Sequence, residues 1–530
     1  MNKKRTIKYG LPVMLALVCF ACTKDLDRKP TNSLIADVAY KDMEGYQKAV
    51  AKMYGSFGLT GNAGNGSSDL AGIDPGASDF LRLYWNVQEL TTDEAICVWA
   101  DPGVPDFHEM DWSSNNIILM GLYNRCIFQI TICNEFLRES TEEKLAARGI
   151  TAGDAEKIRN YRVEARFLRA FQYWVLMDVY GNPPFVTEET PVGKNIPPQI
   201  KRVDLFRYVE QELNAIEPLM AKARQNEYGR ADEAAVWALK ARMFLNAGVY
   251  LGAGNERYTD AMLNARKVID AGYSLMPAYQ HLFLTDNDRN NPEVIMPINY
   301  DAVSTENAGG TSFIINAGLG SPMNGRAMGM PGNGWGGNRV TKNLPLLFGD
   351  YVNTADSRSI FYTENTNPEI DNPRDFAQGI KVMKFKNIDQ QGQMPVGNPN
   401  FSSVDFPLFR LAEMYLIYAE AVKRGATGGD EALALTYLNR LRERAYGNSA
   451  GNIASFNLAY IIDERGREFY WEAFRRTDLI RFGLFTTNTY LWPWKGGVKE
   501  GRGVEAYRNL FPLPASDIVA NPGLVQNEGY

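Results

Sequence analysis

The residue types that carry most enzymatic chemistry are scarce in this chain. Its 530 residues include only two histidines, His108 and His281. Ser-His-Asp, Cys-His and multi-histidine zinc arrangements each need a histidine beside particular partners, so two histidines exclude nearly all of them. An acid–base enzyme built on this sequence would have to rely on carboxylates.

Aromatic side chains are the more informative chemistry, since they make up 12% of the chain, with 27 tyrosines and 9 tryptophans. Trp335 stands in a run from 318 to 337 that is dense in glycine and also holds proline and asparagine. Neither helix nor strand persists in such a run. An indole without periodic apolar neighbours is either a plug over the core or a surface platform for stacking. We favour the platform.

Charge and cysteine content narrow the function further. The net charge of −6 and the isoelectric point near 5.4 argue against nucleic acid, which needs concentrated basic surface. Cys97, Cys126 and Cys133 have no CxxC spacing, and we interpret them as small buried apolar residues.

The first 21 residues predict a lipoprotein signal peptide. A basic stretch at 3–8 precedes a short apolar stretch at 11–20, which is too short to span a bilayer. The ending Ala21-Cys22 resembles a bacterial lipobox, with Cys22 as the lipidated first residue of the mature chain. Cys19 departs from the usual leucine, so a plain secretory signal is the alternative. The mature body, 22–530, is then tethered only by its acyl chains.

Apolar residues recur with helical periodicity on both sides of the segment 273–401, and this segment itself lacks the pattern. The pattern predicts helices at 41–57, 112–142, 154–180, 203–224, 231–247, 258–271, 408–424, 430–445 and 455–483. Asp154 is the predicted N-terminal cap of the helix at 154–180. Segments 231–247 and 258–271 predict a helix pair of the tetratricopeptide kind, with Ala234, Ala238 and Ala241 at the close contact.

The segment 273–401 is rich in asparagine, glycine and proline, with short strand-like pieces at 294–298, 313–315 and 380–385. We therefore predict a mainly α protein: one domain with a helical scaffold at about 40–272 and 405–485. The scaffold carries a loop-rich insert, 273–401, that bears the ligand face.

Several motifs resemble the SusD/RagB family, and together they run from the lipobox to the last residue. They are EARFLRAF at 164–171, VYGNPP at 179–184, FPLFRLAEMYLIYAEA at 406–421, LNRLRER at 438–444, ERGREFY at 464–470, RRTDLIRFG at 475–483, and the ending PLPAS with NEGY. The resemblance implies about four tetratricopeptide-like helix pairs and no enzymatic activity. It also implies a glycan-binding lipoprotein on the outer face of the outer membrane, partnered by a SusC-like TonB-dependent transporter.

Within the family, the stretches 86–99, 307–310 and 333–335 resemble the starch-binding founding member in particular. There an arc of aromatic residues cradles an α-1,4-glucan. By this resemblance Trp335 and Trp99 match two arc tryptophans, and Arg82 matches an arginine that binds sugar hydroxyls. We add Asp74 to these candidate ligand-binding residues. From the residues alone, Trp99 could instead belong to the core, and Arg82 could pair with Asp79 or Glu89.

Other arc positions depart from that pattern. A further tryptophan falls on Cys97, the arc tyrosine on Ala308, and a polar asparagine on Pro102. A reduced arc leaves the linkage open, so the predicted ligand is starch, a maltooligosaccharide, or a related α-glucan such as dextran.

A structural calcium ion is a further prediction. Asp288 and Asp405 fall where the resemblance suggests calcium ligands. The turn that begins at Asp286 is no EF-hand, because Asn291 replaces the required glycine and Pro297 the required glutamate.

Two rival functions remain at this stage. A glycoside hydrolase would need two carboxylates about 5–10 Å apart across a cleft. Asp93 with Glu94, or Asp74 with Asp79, could supply them. A pure scaffold protein is the other alternative, because helical repeats often bind partners through a concave face.

Overall fold

Helices dominate the described part of the chain, in a computed structural model that covers 36–530 except 192, 194–195 and 365. The signal peptide and Cys22 lie outside the described residues. In chain order the helices are α1 (Ala36–Ala39), α2 (Met43–Gly58), α3 (Phe80–Glu89), α4 (Pro105–Glu109), α5 (Ile117–Glu139), α6 (Glu142–Ala147), α7 (Ala152–Val179), α8 (Arg202–Ile216), α9 (Glu233–Leu245), α10 (Ala247–Leu251), α11 (Tyr258–Asp270), α12 (Gly310–Gly318), α13 (Asn343–Leu346), α14 (Leu411–Lys423), α15 (Glu431–Tyr446), α16 (Leu458–Phe469), α17 (Arg475–Arg481) and α18 (Ala515–Ala520).

The strands are short and form three two-stranded antiparallel ladders. They are β1 (Ile96–Cys97), β2 (Val294–Ile298), β3 (Asn338–Arg339), β4 (Phe361–Tyr362), β5 (Lys381–Val382) and β6 (Phe406–Arg410). β1 pairs with β3, β2 with β6, and β4 with β5. The β1–β3 and β2–β6 ladders each pair a strand of the loop-rich insert with a strand outside it, so they join the insert to the scaffold, whereas β4–β5 lies within the insert.

The helical scaffold is assembled from both sides of the insert, as predicted. Helices α9 and α11 pack on each other, and α11 also packs on α14, which follows the insert in sequence. Ala234, Ala238 and Ala241 are fully buried on α9. The mainly α, tetratricopeptide-like fold is confirmed.

One helix of the described chain, α5, is long and apolar enough by length and composition to cross a membrane, and 61% of its most apolar window is buried inside the protein. Its buried Arg125 donates hydrogen bonds to the carbonyl oxygens of Ser78 and Thr60, at 2.8 and 3.0 Å. Cys126 and Cys133, on the same helix, are buried free thiols as predicted. The helix packs between α3 and α7 as part of the core.

Two predictions in the insert and its border were wrong. The 313–315 piece is not a strand, because Phe313 and Ile315 lie in α12. All nine residues of α12 are buried, so the helix has no solvent-facing side that would give its sequence an amphipathic period. The start of 408–424 is strand β6, which pairs with β2, and the helix begins only at Leu411.

Three helix boundaries also differ from the sequence prediction. Thr151, not Asp154, caps α7, and its hydroxyl accepts a hydrogen bond from the Asp154 amide. The 203–224 segment ends as an α-helix at Ile216 and continues only as a short 3-10 turn. The 455–483 segment is divided into α16 and α17, because Trp471 and Ala473 between them adopt positive φ angles of 64° and 63°.

Buried ion pairs fasten the insert to α16. Arg410 on β6 contacts Glu468 at 2.6 Å and Glu293 at 2.9 Å, and Arg358 of the insert contacts Glu468 at 3.1 Å. Arg444 contacts Glu468 at 2.5 Å. The Glu468 side chain is fully buried, and burial alone would raise its pKa, but the surrounding arginines lower it strongly. This network explains the ERGREFY motif as a structural one.

We expect Glu468→Gln to lower the free energy of unfolding by about 3–5 kcal/mol, because three buried arginines lose a shared counter-charge. Urea denaturation followed by circular dichroism measures the change. Glu142→Gln is the control, since Glu142 pairs with Arg159 at 2.8 Å with its side chain 60% exposed, where ion pairs contribute little. Equal unfolding midpoints for the two variants would contradict the structural role of Glu468.

Candidate functional site

The loop that carries Trp335 is held rigidly by backbone hydrogen bonds. The amides of Trp335, Gly336 and Gly337 donate to the carbonyl oxygens of Asn316, Leu319 and Ala317, at 2.7, 2.8 and 2.8 Å. These acceptors lie at and just past the end of α12, where carbonyl groups have no partner within the helix. The glycine-rich run therefore acts as a cap on α12, and Trp335 projects from it with 40% of its surface exposed.

Trp99 lies beside the Trp335 loop, although the two residues are 236 positions apart in sequence. The β1–β3 ladder pairs Ile96 with Arg339 and Cys97 with Asn338. It continues with a hydrogen bond of 3.0 Å from the Val98 amide to the Gly337 carbonyl oxygen. Gly337 lies against the indole of Trp99: a Cβ atom there would come within 2.5 Å of the ring.

The two indoles form a bent platform. Their ring centroids are 6.4 Å apart and their planes are inclined at 45°. The Trp99 Nε1 donates a hydrogen bond of 3.4 Å to the carbonyl oxygen of Trp335. Trp99 is half-buried and also packs on the core, at 6.2 Å from the ring of Phe313. Trp99 therefore has both a core contact and a face beside Trp335.

Arg82 lies beside this platform on the first turn of α3. Asp79 caps α3, and its Oδ2 accepts hydrogen bonds from the amides of Leu81, Arg82 and Gly310. The last of these ties α3 to the start of α12. Burial raises the pKa of Asp79 to about 6, against the effect of the amide donors. Asp79 thus fixes the two helices that surround the site.

The guanidinium of Arg82 is positioned by backbone oxygens and not by an ion pair with Asp79 or Glu89. Its Nη1 donates to the carbonyl oxygens of Gly76 and Ala308, at 2.8 and 3.0 Å. Its Cζ atom lies 4.4 Å from the Phe313 ring centroid and 6.0 Å from that of Trp99. Burial lowers the pKa of Arg82, and neighbouring acidic groups oppose the shift, so the side chain keeps its charge.

Asp74, Arg82 and Trp99 share one cavity of about 280 Å³. Asp74 is exposed at its rim, and its Oδ1 accepts a hydrogen bond of 2.8 Å from the Gly76 amide. A cavity of about 470 Å³ lies apart, between α2 and β2, and contains none of the predicted residues. The smaller cavity is the candidate site, because it unites a cation, a carboxylate and one tryptophan of the platform.

The structure adds residues that the sequence prediction missed, namely Asn86, Asp101, Phe313 and Asn338 in the cavity wall. Asn86 follows Arg82 by one helical turn on α3, so the i, i+4 spacing could have found it. Asn338 had no comparable signal, because its neighbour Cys97 is distant in sequence.

The structure also shows where Cys97, Pro102 and Ala308 lie, the three residues that depart from the family's aromatic arc. Cys97 is buried, and burial raises the pKa of its thiol to about 12, so it acts as a small apolar side chain of the cavity wall. Pro102 lines the same cavity. Ala308 contributes its carbonyl oxygen to Arg82.

The calcium prediction finds no fitting set of ligands. Both carboxylate oxygens of Asp405 already accept hydrogen bonds, from the Tyr300 amide at 2.7 Å and the Tyr228 hydroxyl at 2.9 Å. Asp288 is exposed, and its nearest cation is Arg289 at 3.7 Å. Within the described ranges, no group of three or more His, Cys, Asp or Glu side chains could hold a metal ion. Calcium prefers about six to eight oxygen ligands, so its binding stays a prediction without geometric support.

The carboxylate pairs of the hydrolase alternative do not face each other across the cavity. Asp93 is buried, where it pairs with Arg475 at 2.8 Å and accepts a hydrogen bond from Tyr490 at 2.5 Å. Glu94 is also buried. Asp79 is buried as the cap of α3, which leaves only Asp74 exposed at the rim. Neither pair has the arrangement of a glycosidase.

A helical scaffold that presents a bent pair of indoles beside an arginine defines a class of carbohydrate-binding protein. Comparisons with known proteins agree. The chain is 36% identical to the starch-binding protein SusD of Bacteroides thetaiotaomicron, over 99% of both chains. It is 24% identical to the SusD-like protein P25 of Formosa agariphila, over 98% of both. The SusD family model matches residues 361–530.

Solved structures share the fold of this chain. A SusD homologue from Bacteroides thetaiotaomicron superposes with a TM-score of 0.71 at 18% identity, over 96% of this chain and 100% of the homologue. The surface glycan-binding protein A of Bacteroides thetaiotaomicron, in complex with laminarihexaose, has a TM-score of 0.67 at 22% identity, over 91% and 99%. The chain belongs to the SusD family, whose members are cell-surface glycan-binding proteins and not hydrolases.

We expect Gly337→Ala to displace the indole of Trp99, because the new methyl group would overlap its ring. The ¹⁹F NMR spectrum of protein labelled with 5-fluorotryptophan should show a shifted Trp99 resonance, assigned with Trp99→Phe. Gly332→Ala in the same loop is the matched control, since a Cβ there meets nothing within 4 Å. An unmoved Trp99 resonance in Gly337→Ala would refute the packing of Trp99 on Gly337.

Proposed function

We propose that this protein captures an α-glucan at the cell surface and delivers it to a SusC-like TonB-dependent transporter. The observation that carries the proposal is the Trp99–Trp335 platform beside Arg82, in a chain 36% identical to a starch-binding relative. Starch, maltooligosaccharides and dextran are the candidate ligands.

The bent platform favours a curved chain. Two successive sugar rings that stack on indoles inclined at 45° must themselves be inclined to each other. An α-glucan curves in this way along its length, whereas a flat, extended glycan would contact one ring and miss the other. Arg82 supports the same ligand, since a planar guanidinium can donate to adjacent hydroxyl groups together.

The contacts predict a weak, reversible affinity. Covering an indole with the apolar face of a pyranose buries roughly 60–80 Å², which contributes about 1.5–2 kcal/mol. Two such contacts and one charged donor reach dissociation constants from about millimolar to tens of micromolar. A protein that must release its cargo to a transporter suits this range.

Affinity electrophoresis in gels of starch, pullulan, dextran and laminarin, beside a reducing-sugar assay, tests the proposal. Retardation in an α-glucan gel without release of reducing ends supports it. Retardation in laminarin alone would make the ligand a β-glucan. Retardation in none of the gels would favour a scaffold that binds protein partners.

We expect Trp335→Ala to weaken retardation in the α-glucan gel by roughly tenfold to thirtyfold, the loss of one stacking contact. The melting temperature should stay within a few degrees, because Trp335 is 40% exposed. Leu263→Ala is the control, an apolar side chain 52% exposed on the scaffold helix α11. A large fall in melting temperature would instead make Trp335 a plug over the core.

The lipid anchor is a separate part of the proposal. We expect Cys22→Ala to abolish incorporation of labelled palmitate and to release the protein from the membrane fraction, since the lipobox cysteine is the acylated residue. Cys97→Ala is the control, because Cys97 is buried and cannot be acylated. Palmitate on Cys22→Ala would refute the predicted cleavage site.

A further inference from the structure

The cavity beside Trp99 contains buried polar groups without partners. Both side-chain atoms Oδ1 and Nδ2 of Asn338, Oδ1 of Asn86 and Nε of Arg82 lack any hydrogen-bond partner among the described residues. Asn338 is fully buried and Asn86 is 5% exposed. Buried polar groups in proteins are nearly always paired, so four unpaired atoms on three residues of one cavity indicate a ligand or ordered water.

These atoms form a complementary set. Asn338 offers a donor and an acceptor, Asn86 an acceptor, and Arg82 a donor. Apolar side chains complete the wall, among them Leu90, Ile118 and Phe313. A compact, uncharged ligand with several hydroxyl groups and apolar C–H faces matches this combination. A single sugar ring is such a ligand.

The size and position of the cavity determine how many sugar rings it can hold and where they lie relative to the platform. A volume of about 280 Å³ equals that of about nine water molecules at ~30 Å³ each, room for one sugar ring and not for a chain. Trp99 contributes to both the cavity and the platform, so a sugar in the cavity lies next to the glycan on the platform.

We propose that this cavity is a subsite for one terminal sugar unit of the glycan that lies across Trp99 and Trp335. The inference rests on the proposed function, because the platform must hold an α-glucan for its terminal unit to enter. The unit is either a single-sugar branch or the end of a linear chain. Its hydroxyl groups pair with Asn338, Asn86 and Arg82.

Isothermal titration calorimetry with three ligands distinguishes a single-sugar branch from a chain end. β-Cyclodextrin has neither branch nor end, glucosyl-β-cyclodextrin adds one α-1,6-linked sugar, and maltoheptaose has free ends. We expect glucosyl-β-cyclodextrin to bind about tenfold more tightly than β-cyclodextrin if the subsite takes a branch. The same advantage for maltoheptaose would identify a chain end.

Asn338→Leu should remove this advantage, so that glucosyl-β-cyclodextrin and β-cyclodextrin bind with equal affinity. The melting temperature should be unchanged or higher, because leucine removes two unpaired polar atoms at similar volume. Asn86→Leu is the second variant. Asn264→Leu on α11 is the matched control: its Oδ1 is also buried and unpaired, but it lies outside the cavity, so the advantage should persist.

The outcomes distinguish the two proposals. Equal affinities for all three ligands would overturn the subsite and leave the cavity to water, with the proposed function intact. Retention of the advantage in both Asn338→Leu and Asn86→Leu would also overturn it. No binding of any of the three α-1,4-linked ligands would overturn the subsite and would contradict the proposed function for starch and maltooligosaccharides, leaving dextran to the gel test.

Discussion

A ladder of two residue pairs, Ile96 with Arg339 and Cys97 with Asn338, holds the site together. It brings Trp99 and Trp335 together from distant parts of the chain. Side chains alternate between the faces of a strand, so a slip of one residue in this pairing would send Cys97 and Asn338 to the wrong side. The platform and the cavity wall therefore depend on the register of this ladder more than on any single ligand contact.

So short a ladder would be marginal on its own, and its surroundings stabilise it. The buried guanidinium of Arg339 donates to the carbonyl oxygens of Ile96, Gln378 and Pro373, at 3.2, 2.9 and 2.6 Å. Burial lowers the pKa of Arg339 to about 10. On the other side, the amide of Gly337 donates a hydrogen bond to the carbonyl oxygen of Ala317 near the end of α12, which fixes the position of Gly337. The scaffold helices therefore position the ladder, and the ladder positions the residues of the site.

The sequence predicts the amphipathic helices well and the site only in part. Periodicity locates α2, α7 and α11, and composition marks the insert, because these signals are local. The nature of α12 could not be predicted, since a helix buried on all sides has the same composition as a buried strand. Asn338 could not be predicted either, because its role follows from a pairing between distant segments. Local patterns find the elements, and long-range pairing makes the site.

The contrast between two buried polar regions supports the location of the site. Beneath the insert, the carboxylates of Glu464 and Glu468 and the guanidiniums of Arg358 and Arg410 are buried and paired with one another. Beside Trp99, Asn338 is equally buried but both atoms of its amide lack a partner. Other buried polar atoms also lack a partner, among them Oδ1 of Asn264, but beside Trp99 the unpaired atoms of Asn338, Asn86 and Arg82 line one cavity. Since unpaired buried groups lower stability, their presence next to the platform is best explained by a partner that arrives from outside.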